Sequence, residues 1–244
     1  MKRYRLVIQY DGKEFYGWQN QRCKRTVQGE IEGALVKVFK ADNRIIIHGA
    51  GRTDSGVHAY GQVAHFDYCT DLSDITIKNI LNNKLDLDCR ISSVLKVSND
   101  FHSRFDALSR EYIYQCYLGD SLLFRNQSWS LKNINLSKLN KLAKLIVGEH
   151  DFLSFSKFNP TLKNSECTIF SSEWIKNQNM ITYKIVSNRF LHHMIRYLVG
   201  TMIAVINNKF SESGYLNLLN NPMKQVKIFK APPQGLILMK VNYE

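Results

Sequence analysis

Residues 48 to 66 read HGAGRTDSGVHAYGQVAHF. One arginine and one aspartate, Arg52 and Asp54, stand two apart among four glycines. Two readings of Arg52-Thr53-Asp54-Ser55-Gly56 compete. In the first, Asp54 bonds its own backbone in an Asx-turn and glycine supplies the positive φ. In the second, a rigid loop presents an ionised carboxylate, kept charged by a nearby guanidinium. Such a carboxylate is competent as a nucleophile or a base.

The same stretch holds His48, His58 and His65. They raise a metal reading, but no H-x-E or C-x-x-C companion supports it. A phosphate-gripping loop fails too, because Gly49, Gly51 and Gly56 do not match G-x-x-x-x-G-K-[ST]. Further along, residues 191 to 206 predict a helix with Leu191, Ile195, Leu198, Val199, Met202 and Ile206 on one apolar arc. Arg196 falls at the edge of that arc, half-buried. It is either a snorkelling arginine or a group aimed into a groove to pair with Asp54. His192 falls inside the arc and reads as a core histidine. In a strand over 110–118, alternation puts Tyr112 and Tyr114 on one face. A strand tyrosine usually packs, yet in a basic protein an exposed one can stack on a base.

The elements that position these residues follow from periodicity. A strand over 3–10 ends at the turn residues Asp11-Gly12. Thr26 caps a helix carrying Val27, Ile31, Ala34, Leu35 and Val38. Strands are expected over 44–48 and 62–68. Ser73 or Asp74 caps a helix with Ile77, Ile80 and Leu81, and a strand follows over 90–97. After the strand at 110–118 come a helix over 137–147, strands within 165–175 and over 180–186, the helix at 191–206 and a strand over 236–241. The order β-α-β-β-α-β thus occurs twice. It implies an α+β fold of two related split β-α-β, ferredoxin-like halves, 1–105 and 106–244. Their antiparallel sheets are expected side by side, with a central cleft between them where pockets commonly form. The loops at 118–135 and 148–168 are long enough to be functional.

Lys and Arg number 33 against 21 Asp and Glu, a net charge of +12. That balance favours a polyanionic partner, nucleic acid before a membrane surface. Five cysteines with no C-x-x-C clip read as reduced thiols of a cytoplasmic protein. No apolar leader follows Met1, and no apolar run reaches the roughly 18 residues of a membrane span.

Together these residues resemble the tRNA pseudouridine synthases of the TruA type. The resemblance rests on Y10-D11-G12, F15-x-G17-W18-Q19 and T26-V27-Q28, and most heavily on G49-A50-G51-R52-T53-D54-S55-G56-V57-H58-A59. R-E-Y-I-Y at 110–114, F190-L191-H192-H193-M194-I195-R196 and A231-P232-P233-Q234-G235-L236 complete it. Two departures are visible: Tyr197 where Asn is expected, and Ser55 where Ala is commoner. Neither is a catalytic position.

The resemblance implies isomerisation of uridine to pseudouridine at positions 38, 39 and 40 of the tRNA anticodon stem-loop. It implies no cofactor and no metal, and a homodimer bound to tRNA. Carried over residue by residue, Asp54 is the catalytic aspartate, Arg196 its salt-bridge partner, Tyr112 the tyrosine that packs on the target base, and Arg52 the motif arginine near the flipped nucleotide or a phosphate. His58, Lys24 and Arg25 are candidate RNA contacts. Asp54 has three routes open: attack at C1′, as in a retaining glycosidase, abstraction of the C2′ proton, or addition to C6. The rival readings are a non-catalytic RNA-binding module and a metal hydrolase using His58 and His65.

Overall fold

Alternation in the first strand, KRYRLVIQY, decides which face meets the core. In β1 (Lys2–Tyr10), Tyr4, Leu6, Ile8 and Tyr10 are buried and the residues between them are not. The structure, a computed structural model, describes residues 1–226 and 228–244. The chain divides into two compact units: Met1–Leu108 with Ile237–Glu244, and Ser109–Leu236.

In the first unit β1 is central. It pairs antiparallel with β3 (His58–Tyr68) on one side and β4 (Cys89–Val97) on the other. Helices α1 (Val27–Phe39) and α2 (Asp74–Asn82) begin where their caps predict, with Thr26 accepting from the Gly29 N–H and Ser73 from the Thr76 N–H. Phe39 of α1 packs on Phe66, ring centroids 6.2 Å apart, so α1 covers the face that carries Tyr4, Leu6 and Ile8.

Two expectations change here. The strand at 44–48 shrinks to β2, His48–Gly49, which pairs with β3. Helix α1 supplies the reason. The buried Glu32 carboxylate accepts the Ile47 N–H at 3.1 Å, and the Gln28 amide donates to the Ile47 carbonyl at 3.2 Å. Side chains therefore occupy the backbone groups that a ladder needs. The closing strand, expected in the second half, is β10 (Leu236–Asn242) and pairs parallel with β3 in the first unit, Ile237 to His58 and Leu238 to Ala59. The short β2 occupies that edge of β3 only around Ala64 and His65, leaving His58 and Ala59 open for it.

The second unit has antiparallel pairs between β5 (Ser109–Leu118) and β9 (Met180–Ser187), β9 and β8 (Glu166–Asn177), and β8 and β7 (Gly148–Asp151). The short β6 (Trp129–Leu131) runs parallel to β5. Gln178, with φ of 53°, makes the β8–β9 turn in the polar Asn177-Gln178-Asn179 segment. Helices α3 (Leu136–Lys144), α4 (Met194–Ile206) and α5 (Glu212–Asn220) belong to this unit. Helix α4 is buried on almost every side. Leu198, Val199 and Met202 are each 0% exposed, worth about 1.5–3 kcal/mol apiece by burial. The architecture is α+β with mixed strand pairing in both units.

Candidate active site

The motif loop is held from below by the segment after β1. Tyr10 Oη meets Thr53 Oγ1 at 2.8 Å, both residues being buried. The Trp18 N–H donates to the Thr53 carbonyl at 3.1 Å, and the Gly56 N–H to the Phe15 carbonyl at 3.3 Å. The Gln62 amide donates to the Gly51 carbonyl at 2.9 Å. Gly17 sits at φ +83°, where a Cβ would stand 2.6 Å from the Thr53 oxygen, so only glycine allows this approach.

The turn itself is closed by main-chain atoms. Val57 N–H donates to Asp54 C=O at 3.2 Å, and Gly56 has φ of 77°, as the third position of a type II turn requires. Asp54 is half-buried and Arg52 exposed at the surface of this pinned turn. A fixed, partly desolvated carboxylate is what a nucleophile or base needs.

His58 is buried. Its Nδ1 accepts the Gly12 N–H at 3.0 Å and also lies 3.0 Å from Asp11 Oδ1. The imidazole thereby ties the start of β3 to the turn after β1 and points inward. His65 uses its Nδ1 elsewhere, accepting the Ser103 N–H at 3.2 Å. The two histidines of the hydrolase reading thus spend these nitrogens on separate structural bonds.

Arg25 is engaged by carboxylates. Its guanidinium lies 2.6 Å from Asp88, 3.2 Å from Asp86 and 3.2 Å from Glu30, and stacks 4.2 Å from the Phe15 ring centroid. It clamps the motif segment to the β4 side of the unit and offers a phosphate little uncompensated charge. Lys24 is exposed, its Nζ 4.3 Å from the Tyr16 ring centroid.

In the second unit, Tyr112 and Tyr114 share the buried face of β5, as alternation predicts. Tyr112 stands edge-on to Phe190, centroids 5.2 Å apart. Burial pushes the Tyr114 phenol well above its ordinary range, so it remains a donor, bonding the Pro232 carbonyl at 2.8 Å. Arg196 is more buried than a snorkelling arginine, at 8% exposure. Its Nε donates to the Ala231 carbonyl at 2.9 Å, and the Ala231 N–H returns a bond to the Arg196 carbonyl. His192 is exposed, correcting its expected core position. Helix α4 starts only at Met194, with His193 left-handed at φ 65°, so the helical arc does not extend back to residue 192.

Sequence reasoning assigned no role to Tyr10, Thr53, Gly17 or Trp18, although all stand in the quoted motif blocks. Those blocks converge locally. In the first unit the segments around 10–19 and 49–59 interlock, and in the second the segments around 114, 196 and 231 do.

A family model described as tRNA pseudouridine synthase matches residues 6–106 and 142–244. The chain belongs to the tRNA pseudouridine synthase family. It is 35% identical to tRNA pseudouridine synthase A of Geobacillus kaustophilus, over 100% of this chain and 95% of that protein. It is 37% identical to the Anaplasma marginale protein of the same name, over 99% of this chain and 100% of the other. With that of Thermosipho melanesiensis it shares 38% identity, and both chains are covered in full, 100% each. The enzyme is therefore a pseudouridine synthase, an isomerase of the TruA type.

Proposed function

We propose that the enzyme converts uridine to pseudouridine at positions 38, 39 and 40 of the tRNA anticodon stem-loop, with Asp54 as catalytic nucleophile. The observation that carries this reading is the Arg52-Thr53-Asp54 loop, pinned by Tyr10, Trp18 and Gln62 so that a half-buried carboxylate is held on a fixed turn. Arg196 is its salt-bridge partner and Tyr112 packs on the target base, both by the family motif. Arg52, exposed beside Asp54, faces the flipped nucleotide. Lys24 contributes a phosphate contact.

The chemistry balances without an oxidant or reductant. The N1–C1′ bond breaks, the uracil turns, C5 bonds to C1′, and the C5 hydrogen leaves as a proton while N1 gains one. The base must first leave its stack, at a cost of a few kcal/mol, of which stacking in the site returns about 1–3 kcal/mol. We read the two units as related split β-α-β halves. The order β1, α1, β3, α2, β4 with β1 between β3 and β4 supports this for the first unit. In this reading the protein is a cytoplasmic homodimer.

The test is tritium release from unmodified tRNA labelled at uracil C5, by wild type and by Asp54→Ala. Release by wild type alone, with RNA binding retained in the variant, is expected. Release by Asp54→Ala would move the catalytic role elsewhere. RNA binding without release by either would leave a binding module on an enzyme's fold.

A further inference from the structure

The first unit's sheet has a second chemically distinctive surface. Arg5 lies directly opposite His65, and His65 opposite His48, so the three share one face across β1, β3 and β2. Tyr4, Leu6 and Phe66 occupy the other face, under α1. The His48 ring stacks on His65, centroids 5.1 Å and planes 24° apart. His102 stands edge-on to His65 at 4.7 Å and stacks on Phe105 at 4.2 Å.

Guanidinium groups flank these rings. Arg5 lies 5.9 Å from the Phe101 centroid and Arg104 lies 5.7 Å from the Phe105 centroid. The Arg5 Nε is buried with no hydrogen-bond partner among the described residues. Burial, then the Arg3 charge, push the His65 imidazole down to about 4, so it is neutral near pH 7 and does not repel Arg5.

The segment that carries the outer rings is fixed. Ser103 is fully buried; its N–H donates to His65 Nδ1, its hydroxyl to the His48 carbonyl, and its own carbonyl accepts the Tyr243 hydroxyl at 2.7 Å. Arg3 bonds the Phe101 carbonyl at 2.8 Å while paired to Asp67. Yet Phe105 is 75% exposed and His48 is exposed too. A packing cluster buries all its rings; this one buries His65, half-buries His102 and leaves His48 and Phe105 open to solvent.

Stacked rings open on one side, flanked by guanidinium groups on a chain of net charge +12, fit a flat π-face that carries a phosphate. We propose that His48, His102 and Phe105, flanked by Arg5 and Arg104, form a stacking platform for an unpaired nucleotide of the bound RNA. The inference rests on the reading that RNA is the substrate. The guanidinium groups and the net charge favour this occupant over an apolar protein partner.

The experiment measures binding of unmodified tRNA and of a fluorescein-labelled oligouridine by anisotropy, to wild type, Phe105→Ala, Phe105→Leu and Phe105→Tyr. Phe105→Ala and Phe105→Leu should each weaken tRNA binding by roughly 5- to 100-fold, the loss of one stacked base. Phe105→Tyr, which keeps the π-face, should bind like wild type. Thermal melts confirm that the variants fold, as the exposure of Phe105 leads one to expect. Unchanged affinity in Phe105→Ala, or full rescue by Phe105→Leu, overturns the platform. Tritium release by wild type is scored in parallel. Failure of release with Phe105-dependent binding removes the isomerase reading but not the platform; normal release with Phe105-independent binding does the reverse.

Discussion

The hydroxyls of Tyr10 and Thr53 meet at 2.8 Å in a buried setting, joining the last residue of β1 to the residue before Asp54. Tyr10 is a positioning residue in the proposed mechanism: it acts on the carboxylate through the loop, by way of Thr53. Tyr10→Phe keeps the ring beside Phe15 and Trp18 and strands a buried hydroxyl, costing about 1–2 kcal/mol of stability. Misplacement of a reacting group by a fraction of an ångström is expensive, so single-turnover tritium release at saturating enzyme should fall about tenfold. The dissociation constant for tRNA should stay put. A lower melting temperature with unchanged turnover would mean that the hydroxyl pair serves the fold alone.

Gly17 approaches the backbone of the same loop. With φ of +83° and a prospective Cβ 2.6 Å from the Thr53 oxygen, Gly17→Ala is strained twice over. We expect a loss of about 2 kcal/mol or more in urea unfolding, with turnover reduced in the folded fraction. Gly33 is the control. It lies in the middle of α1, exposed, with nothing within 4 Å of a prospective Cβ. Gly33→Ala should raise stability by about 0.5–1 kcal/mol. Equal effects of the two substitutions would contradict the close approach at Gly17.

Glu32 makes a third case. It is 2% exposed, accepts the Ile47 N–H at 3.1 Å and the Gln28 amide at 3.0 Å, and binds Arg44 Nε at 2.7 Å. Glu32→Ala leaves buried donors without their acceptor and should cost about 3 kcal/mol. Hydrogen exchange should localise the loosening to residues 44–49. Arg44→Ala, which removes a half-exposed partner, should cost about 1 kcal/mol or less. If the two variants melt alike, the ion pair rather than the backbone bond is what matters.

The same carboxylate shows where the sequence stops being readable. Arg44-Ile45-Ile46-Ile47-His48 has the composition of a strand, and Ile45 and Ile47 are indeed buried with Ile46 exposed. The ladder is missing because Gln28 and Glu32, sixteen or so positions earlier, take its polar groups. Likewise, the apolar arc of α4 was legible, but not the left-handed His193 that delays its start and leaves His192 outside. Helix α5 carried a signal that could have been read: Ser211 as cap, then Tyr215, Leu218 and Leu219 on one side. The Arg52–Asp54 loop stood out by composition alone. Of the acids that engage Arg25, Glu30 is five residues on, but Asp86 and Asp88 lie some sixty residues away, beyond any local pattern.

That last cluster makes a pH prediction. Hydrogen bonding to Arg25 holds the Asp88 carboxyl below its ordinary range, against the opposing pull of burial. A group whose pKa is depressed on folding stabilises the protein above its unfolded pKa, about 4. The contribution fades as pH falls through the lower, folded value, because both states are then protonated. Asp88→Asn removes the charge at every pH. The difference in unfolding free energy between wild type and Asp88→Asn should therefore be about 1 kcal/mol at pH 6, a modest figure because both side chains are just over a quarter exposed. It should shrink steadily below about pH 4. Urea titrations from pH 6 down to the acid limit of the folded state measure it directly. A difference that stays constant across that range would mean that the Asn side chain fits the clamp poorly for steric reasons and that the Arg25–Asp88 charge contributes nothing to stability.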